Sequence, residues 1–112
     1  MPAGIYNITI EQGATFEITL TIKQGDGNPV DLSGYTARSQ IREKVSSLAA
    51  AGAFVVTFPE PRTEGKLKMS LAASATALLP ARVYAYDLEL ESAGRVERLL
   101  EGKVVVSAEV TR

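Results

Sequence analysis

The chain has no histidine, no cysteine and no tryptophan, and its aromatics are three Phe and four Tyr in 112 residues. Without histidine it lacks the commonest general base and the commonest metal ligand. Without cysteine there is no thiol nucleophile and no disulfide staple, which fits a chain made in a reducing compartment. No run of about 18 apolar residues is present, so no membrane-spanning helix is expected. Met1-Pro2-Ala3-Gly4 offers neither a basic region nor an apolar core, so no signal peptide is expected. Twelve Lys+Arg against thirteen Asp+Glu leave a formal charge of −1, without the basic footprint that phosphate neutralisation requires.

What is present is alternation. Residues 14–24 place Phe16, Ile18, Leu20 and Ile22 on one side and Thr15, Glu17, Thr19, Thr21 and Lys23 on the other. Residues 82–91 place Tyr84, Tyr86, Leu88 and Leu90 against Asp87, Glu89 and Glu91. Period two means strands with one wet and one buried face. Weaker versions of the pattern give strands at 4–10, 35–42 and 66–71. The apolar run Ala53–Phe58 reads as a central strand that Pro59 and Pro61 terminate, because proline cannot donate to a ladder. Between strands lie turns. Gly25-Asp26-Gly27-Asn28-Pro29 is a breaker cluster, and in Asp31-Leu32-Ser33-Gly34 the polar side chains can bond local amides while Leu32 plugs the core.

Residues 44–52 read as an Ala/Ser-rich loop, and 72–79 as a helical segment of barely two turns stopped by Pro80. Ser92-Ala93-Gly94 closes a hairpin, and Glu101-Gly102 is expected to bend or bulge the last strand. Seven or eight short strands with at most one short helix predict an all-β sandwich or barrel, a single domain over 1–112.

The candidate chemistry is sparse. Asp87, Glu89 and Glu91 form the main acidic stripe, but they lie roughly 7 Å apart along a straight strand, whereas calcium wants six to eight converging oxygens. No pair of carboxylates is singled out for glycoside hydrolysis. No serine sits in a Gly-x-Ser-x-Gly elbow, and Gly25-Asp26-Gly27 lacks the Gly-Lys-Ser/Thr ending of a phosphate loop. Tyr84 and Tyr86 share one face: core packing is the default, and a sugar-stacking platform the alternative. Arg38, Arg42, Arg95 and Arg98 can pair across strands with Glu43, Glu97 and Glu101, at about 0.2–1 kcal/mol each. The composition therefore points to a domain that binds or builds, with no enzyme activity, no cofactor and no metal expected.

Three stretches carry a resemblance: Ile10-Glu11-Gln12-Gly13-Ala14-Thr15-Phe16; Asn28-Pro29-Val30-Asp31-Leu32-Ser33-Gly34-Tyr35-Thr36-Ala37 with Gln40-Ile41-Arg42; and Tyr84-Ala85-Tyr86-Asp87-Leu88-Glu89-Leu90 through Gly94-Arg95-Val96 to Leu100-Glu101-Gly102 and Val104. Together they resemble small tailed-phage virion structural proteins and the N-terminal domain of phage baseplate upper proteins. The chain departs from that pattern at Ala108, where proline is frequent, which leaves the terminal strand less protected. It also ends after one domain, with no fibre or receptor-binding module expected.

The resemblance implies an all-β, Ig-like antiparallel β-sandwich, an adaptor present in several copies on a tail, neck, baseplate or capsid surface, made in the host cytoplasm and localised to the virion. Its partners would be other virion proteins and further copies of itself, with neither nucleic acid nor membrane. Unpaired strand edges invite augmentation by another chain, and the first and last strands are expected to be those edges. The contact candidates are Ile5, Tyr6 and Ile8 on the first strand, Leu48 and Ala49 in the Ala-rich loop, and Val110 at the end. The alternative is a carbohydrate- or receptor-binding module using Tyr84 and Tyr86, for which the rings would have to be exposed.

Overall fold

The computed structural model describes residues 4–111, and within them the fold is all β. Eight strands are formed: β1 (Gly4–Ile5), β2 (Ile8–Glu11), β3 (Phe16–Thr21), β4 (Thr36–Arg42), β5 (Gly52–Thr57), β6 (Lys66–Leu71), β7 (Val83–Ser92) and β8 (Arg95–Ser107). Helical structure is limited to a 3₁₀ turn, Arg62–Glu64, and one α turn, α1 (Ala73–Thr76). The helical segment expected over 72–79 thus shrinks to a single turn.

The strands form one curled sheet in the order β1-β8-β7-β4-β5-β6-β3, with β2 continuing β1 along β8. β5 makes the corner. Its Gly52, Ala53 and Phe54 pair with β4, and its Val55, Val56 and Thr57 pair with β6. A front layer of β1/β2, β8, β7 and β4 therefore faces a rear layer of β6 and β3, which is a sandwich. A chain of rings spans the gap: Phe16 of β3 lies 5.6 Å from Phe54, and Phe54 lies 5.9 Å from Tyr86 of β7 in an edge-on contact. The alternating rows behave as their period demands. Leu67, Met69 and Leu71 of β6, and Tyr84, Tyr86, Leu88 and Leu90 of β7, are all buried. Leu32 is fully enclosed beneath the turn that Asp31 ties by accepting the Ser33 amide at 2.9 Å.

Three expectations need correcting. The sandwich is not wholly antiparallel, because β1 and β2 run parallel to β8. That pairing also removes the last strand from the edge: β8 is flanked by β7 on one side and β1/β2 on the other, and the second edge is β3. Ala108 accordingly follows an interior strand. Finally, the bulge lies at Leu99 and not at Glu101-Gly102. Leu88 opposes Leu100 while Glu89 opposes Arg98, so Leu99 is the extra residue, and it drops into the core.

Gly102 has a different task. A Cβ there would collide with the Tyr6 carbonyl oxygen and come within 2.9 Å of Asn7 Oδ1. It is the place where the N-terminal strand crosses close over β8 as β1 gives way to β2.

Candidate interaction surface

The N-terminal edge is pinned by a set of bonds around Tyr6 and Asn7. The Tyr86 hydroxyl donates to the Tyr6 carbonyl at 2.5 Å, the Tyr6 amide donates to the Glu101 carbonyl at 3.0 Å, and Asn7 Oδ1 accepts from the Lys103 amide at 3.0 Å. Burial, with a smaller contribution from Tyr6, pushes the Tyr86 phenol up to about 12. Tyr84 makes the equivalent bond to the Pro80 carbonyl at 2.5 Å, and burial raises its phenol too. Both rings are therefore structural pins with their faces in the core, 2% and 5% exposed, and neither offers a stacking platform for a sugar.

A second anchor holds the corner between β2 and β3. Thr76, fully buried in α1, donates its hydroxyl to the Ala14 carbonyl at 2.8 Å and accepts from the Gly13 amide at 3.1 Å. Gln12 reaches in two directions: its Nε2 donates to the Leu79 carbonyl at 2.9 Å, and its Oε1 accepts from the Glu109 amide at 3.1 Å. No sequence signal marked Thr76, because a lone Thr in an Ala-rich segment reads as part of a helical turn, and Gln12 stood within the Ile10–Phe16 stretch with no contact assigned to it. The role of Thr76 appears only when α1 is seen to abut the corner.

The outer face of the front layer is charged and self-neutralised. Arg38 Nε meets Glu89 Oε1 at 2.8 Å, and Arg98 lies 3.4 Å from Asp87 and 3.7 Å from Glu101. Arg95 pairs with Glu97 on its own strand, while Arg42 bonds Gln40 Oε1 and the Ser47 carbonyl instead of a carboxylate. Arg82 and Glu43 also pair. Burial, then the neighbouring Glu89, raises the Asp87 carboxyl, with Arg98 opposing. Arg38, Arg42, Asp87, Glu89, Arg98 and Glu101 line a shallow depression of about 390 Å³ over β4, β7 and β8, together with Val45. Among the described residues no three His, Cys, Asp or Glu side chains gather as a metal site. No buried side-chain nitrogen or oxygen among them lacks a hydrogen-bond partner.

Of the contact candidates, Ile5 (80% exposed), Leu48, Ala49 and Val110 stand in solvent, and Tyr6 is partly exposed. Ile8 is the exception. Paired with Val104, it faces the core and is 3% exposed, so it is a packing residue and not a contact residue. The rest do not form one patch. Ile5 and Tyr6 sit on the N-terminal edge, level with the middle of β7 through Glu101 and Asp87. Leu48 and Ala49 leave from the end of β4, and Val110 follows the end of β8, both near the start of β7. Between these two groups runs β2. Its even residues bond to β8, while Thr9 turns its backbone groups away from the sheet, as Glu11 does its amide; the Glu11 carbonyl accepts from the Ala14 amide at 3.1 Å.

No family model and no curated protein matches the chain. Among solved structures it is similar to the N-terminal domain of phage TP901-1 ORF48, with a TM-score of 0.55 and 15% identity over 96% of this chain and 90% of that one. It is also similar to Listeria monocytogenes InlP, with a TM-score of 0.49 and 14% identity over 91% of this chain, which spans only 26% of InlP. The first likeness shows a fold also used by a domain of a phage protein.

Proposed function

We propose that this chain is a non-catalytic structural domain of a tailed-phage particle, an adaptor that docks in several copies on a larger virion assembly. The observation that carries the reading is the near end-to-end likeness to the N-terminal domain of a phage protein, joined to the three motif stretches described above. The surface chemistry supports it. The charged groups of the front face neutralise one another, and the two buried tyrosines are occupied as pins. What the domain offers outward is a strand edge and exposed apolar tips. The β1/β2 edge, with Ile5 and Tyr6 beside it, fits an extended segment of a neighbouring virion protein that adds a strand to the front layer. The loop carrying Leu48 and Ala49 supplies a second contact.

Mass spectrometry of purified particles, after lysine crosslinking, tests this. The chain is expected among the particle proteins, with Lys103 (beside the N-terminal edge) and Lys44 (in the loop) linked to a different virion protein. Its absence from washed particles would refute the reading.

A further inference from the structure

The rear layer ends in an edge that the virion reading leaves unused. Among the described residues β3 pairs only with β6. The Ile22 amide donates to the Gly65 carbonyl at 2.7 Å, which continues the β3–β6 register and makes the even residues of β3 the ones bonded to β6. The backbone groups of Glu17, Thr19 and Thr21 therefore point away from the sheet. Those of Lys23 do the same, since its bridge to Pro29 lies between the bonds Val30 to Ile22 and Gln24 to Asn28. Nothing in β3 blunts this edge: it has no proline, no bulge and no inward-pointing charge. Its inner row, Phe16, Ile18 and Leu20, remains only partly buried, whereas the facing residues Leu71, Met69 and Leu67 of β6 are 0–5% exposed.

We propose that β3 pairs antiparallel with β3 of a second copy, about a two-fold axis through Leu20. The charge pattern selects both occupant and register. With Leu20 opposite Leu20, Glu17 of each copy faces Lys23 of the other, and Thr19 faces Thr21. Opposite charges and Thr–Thr neighbours are both favourable cross-strand pairs. A two-residue slip either way puts Glu17 opposite Thr21 or Gly25 and loses both ion pairs. The paired edges exchange on the order of eight backbone hydrogen bonds. They also set Ile18 and Ile22 of the two copies side by side, covering the half-buried row and joining the two rear layers into one sheet. The β1/β2 edge has no such self-match, and it is interrupted at Tyr6-Asn7. The contact does not rest on the virion reading, because an isolated domain in buffer pairs or stays single whatever particle it belongs to.

Sedimentation equilibrium of the purified chain over roughly 1–500 µM is the test. The wild type is expected to show a monomer–dimer equilibrium. Lys23→Glu, an exposed change, places two acidic pairs in the interface and is expected to weaken dimerisation about tenfold. Reversing both charges, Glu17→Lys with Lys23→Glu, recovers wild-type affinity within about threefold, since Glu17 also gives up an ion pair with Lys68. Thr19→Pro removes an outward amide and is expected to abolish the dimer with the circular-dichroism spectrum unchanged. A wild type that is monomeric throughout the range would overturn the proposal. So would a Lys23→Glu variant that dimerises as tightly as wild type, or a double reversal no better than the single.

Discussion

Gly102→Ala probes how the N-terminal strand is held. The added methyl has no space, because the Tyr6 carbonyl oxygen, the Tyr6 carbonyl carbon at 3.0 Å and Asn7 Oδ1 at 2.9 Å surround the site. Two of these neighbours are backbone, so relief requires lifting Tyr6 and Asn7 off β8. That displacement breaks the bonds from Tyr86 to Tyr6, from Tyr6 to Glu101 and from Lys103 to Asn7. At about 1 kcal/mol each, the loss is roughly 3 kcal/mol. The stiffer unfolded chain of alanine returns about 0.5–1 kcal/mol, leaving a net cost of about 2 kcal/mol. For a domain of this size that lowers Tm by roughly 10 °C.

A double-mutant cycle sharpens the reasoning. Tyr86→Phe removes one of the three bonds and should cost about 1 kcal/mol in the wild type. In the Gly102→Ala background the bond is already gone, so the same change should cost close to nothing, a coupling of about 1 kcal/mol. Urea melts followed by circular dichroism give all four corners, and amide exchange at Ile5 to Thr9 reports the local release. A neutral Gly102→Ala, or equal Tyr86→Phe costs in both backgrounds, would refute the argument.

Other outcomes follow from the same geometry. Thr76→Val should lower stability by about 2 kcal/mol in a denaturant melt, since it strands the Gly13 amide and Ala14 carbonyl in a buried corner, while Thr76→Ser should retain most of it. Ala93 holds a left-handed φ of 52° in the β7–β8 turn, so Ala93→Gly should stabilise by about 0.5–1 kcal/mol, and a loss of stability would contradict that account. Tyr86 is neutral when protonated and has a native pKa raised above the unfolded value of about 10. Its contribution is thus intact below pH 10 and lost as pH climbs from 10 towards about 12. Alkaline melts of Tyr86→Phe should fall less steeply than wild type, and parallel slopes would exclude Tyr86 as the group responsible.

Much of the fold was legible because period-two rows leave few alternatives. The row from Tyr84 to Leu90 and the whole of β6 appear where alternation placed them, and Leu32 plugs the core under its Asp31 turn. Topology was less legible. Nothing local tells Ile8 and Ile10 to run parallel to Val104 and Val106, because both strand directions satisfy the same alternation. That choice made β3 the second edge. The bulge was misplaced for a related reason: a glycine in a strand signals either a bulge or a close backbone approach, and at Gly102 it is the approach. Ile8 showed the limit for the contact surface, since membership of an edge strand does not say which way a side chain points.

The most direct test of the proposed virion role is electron cryo-microscopy of phage particles purified from the source that encodes the chain. We expect density for this sandwich on the particle, with the free side of β2 continued by a strand from a neighbouring protein. Particles that carry the domain nowhere, or that display it with the β1/β2 edge facing bulk solvent, would contradict the account.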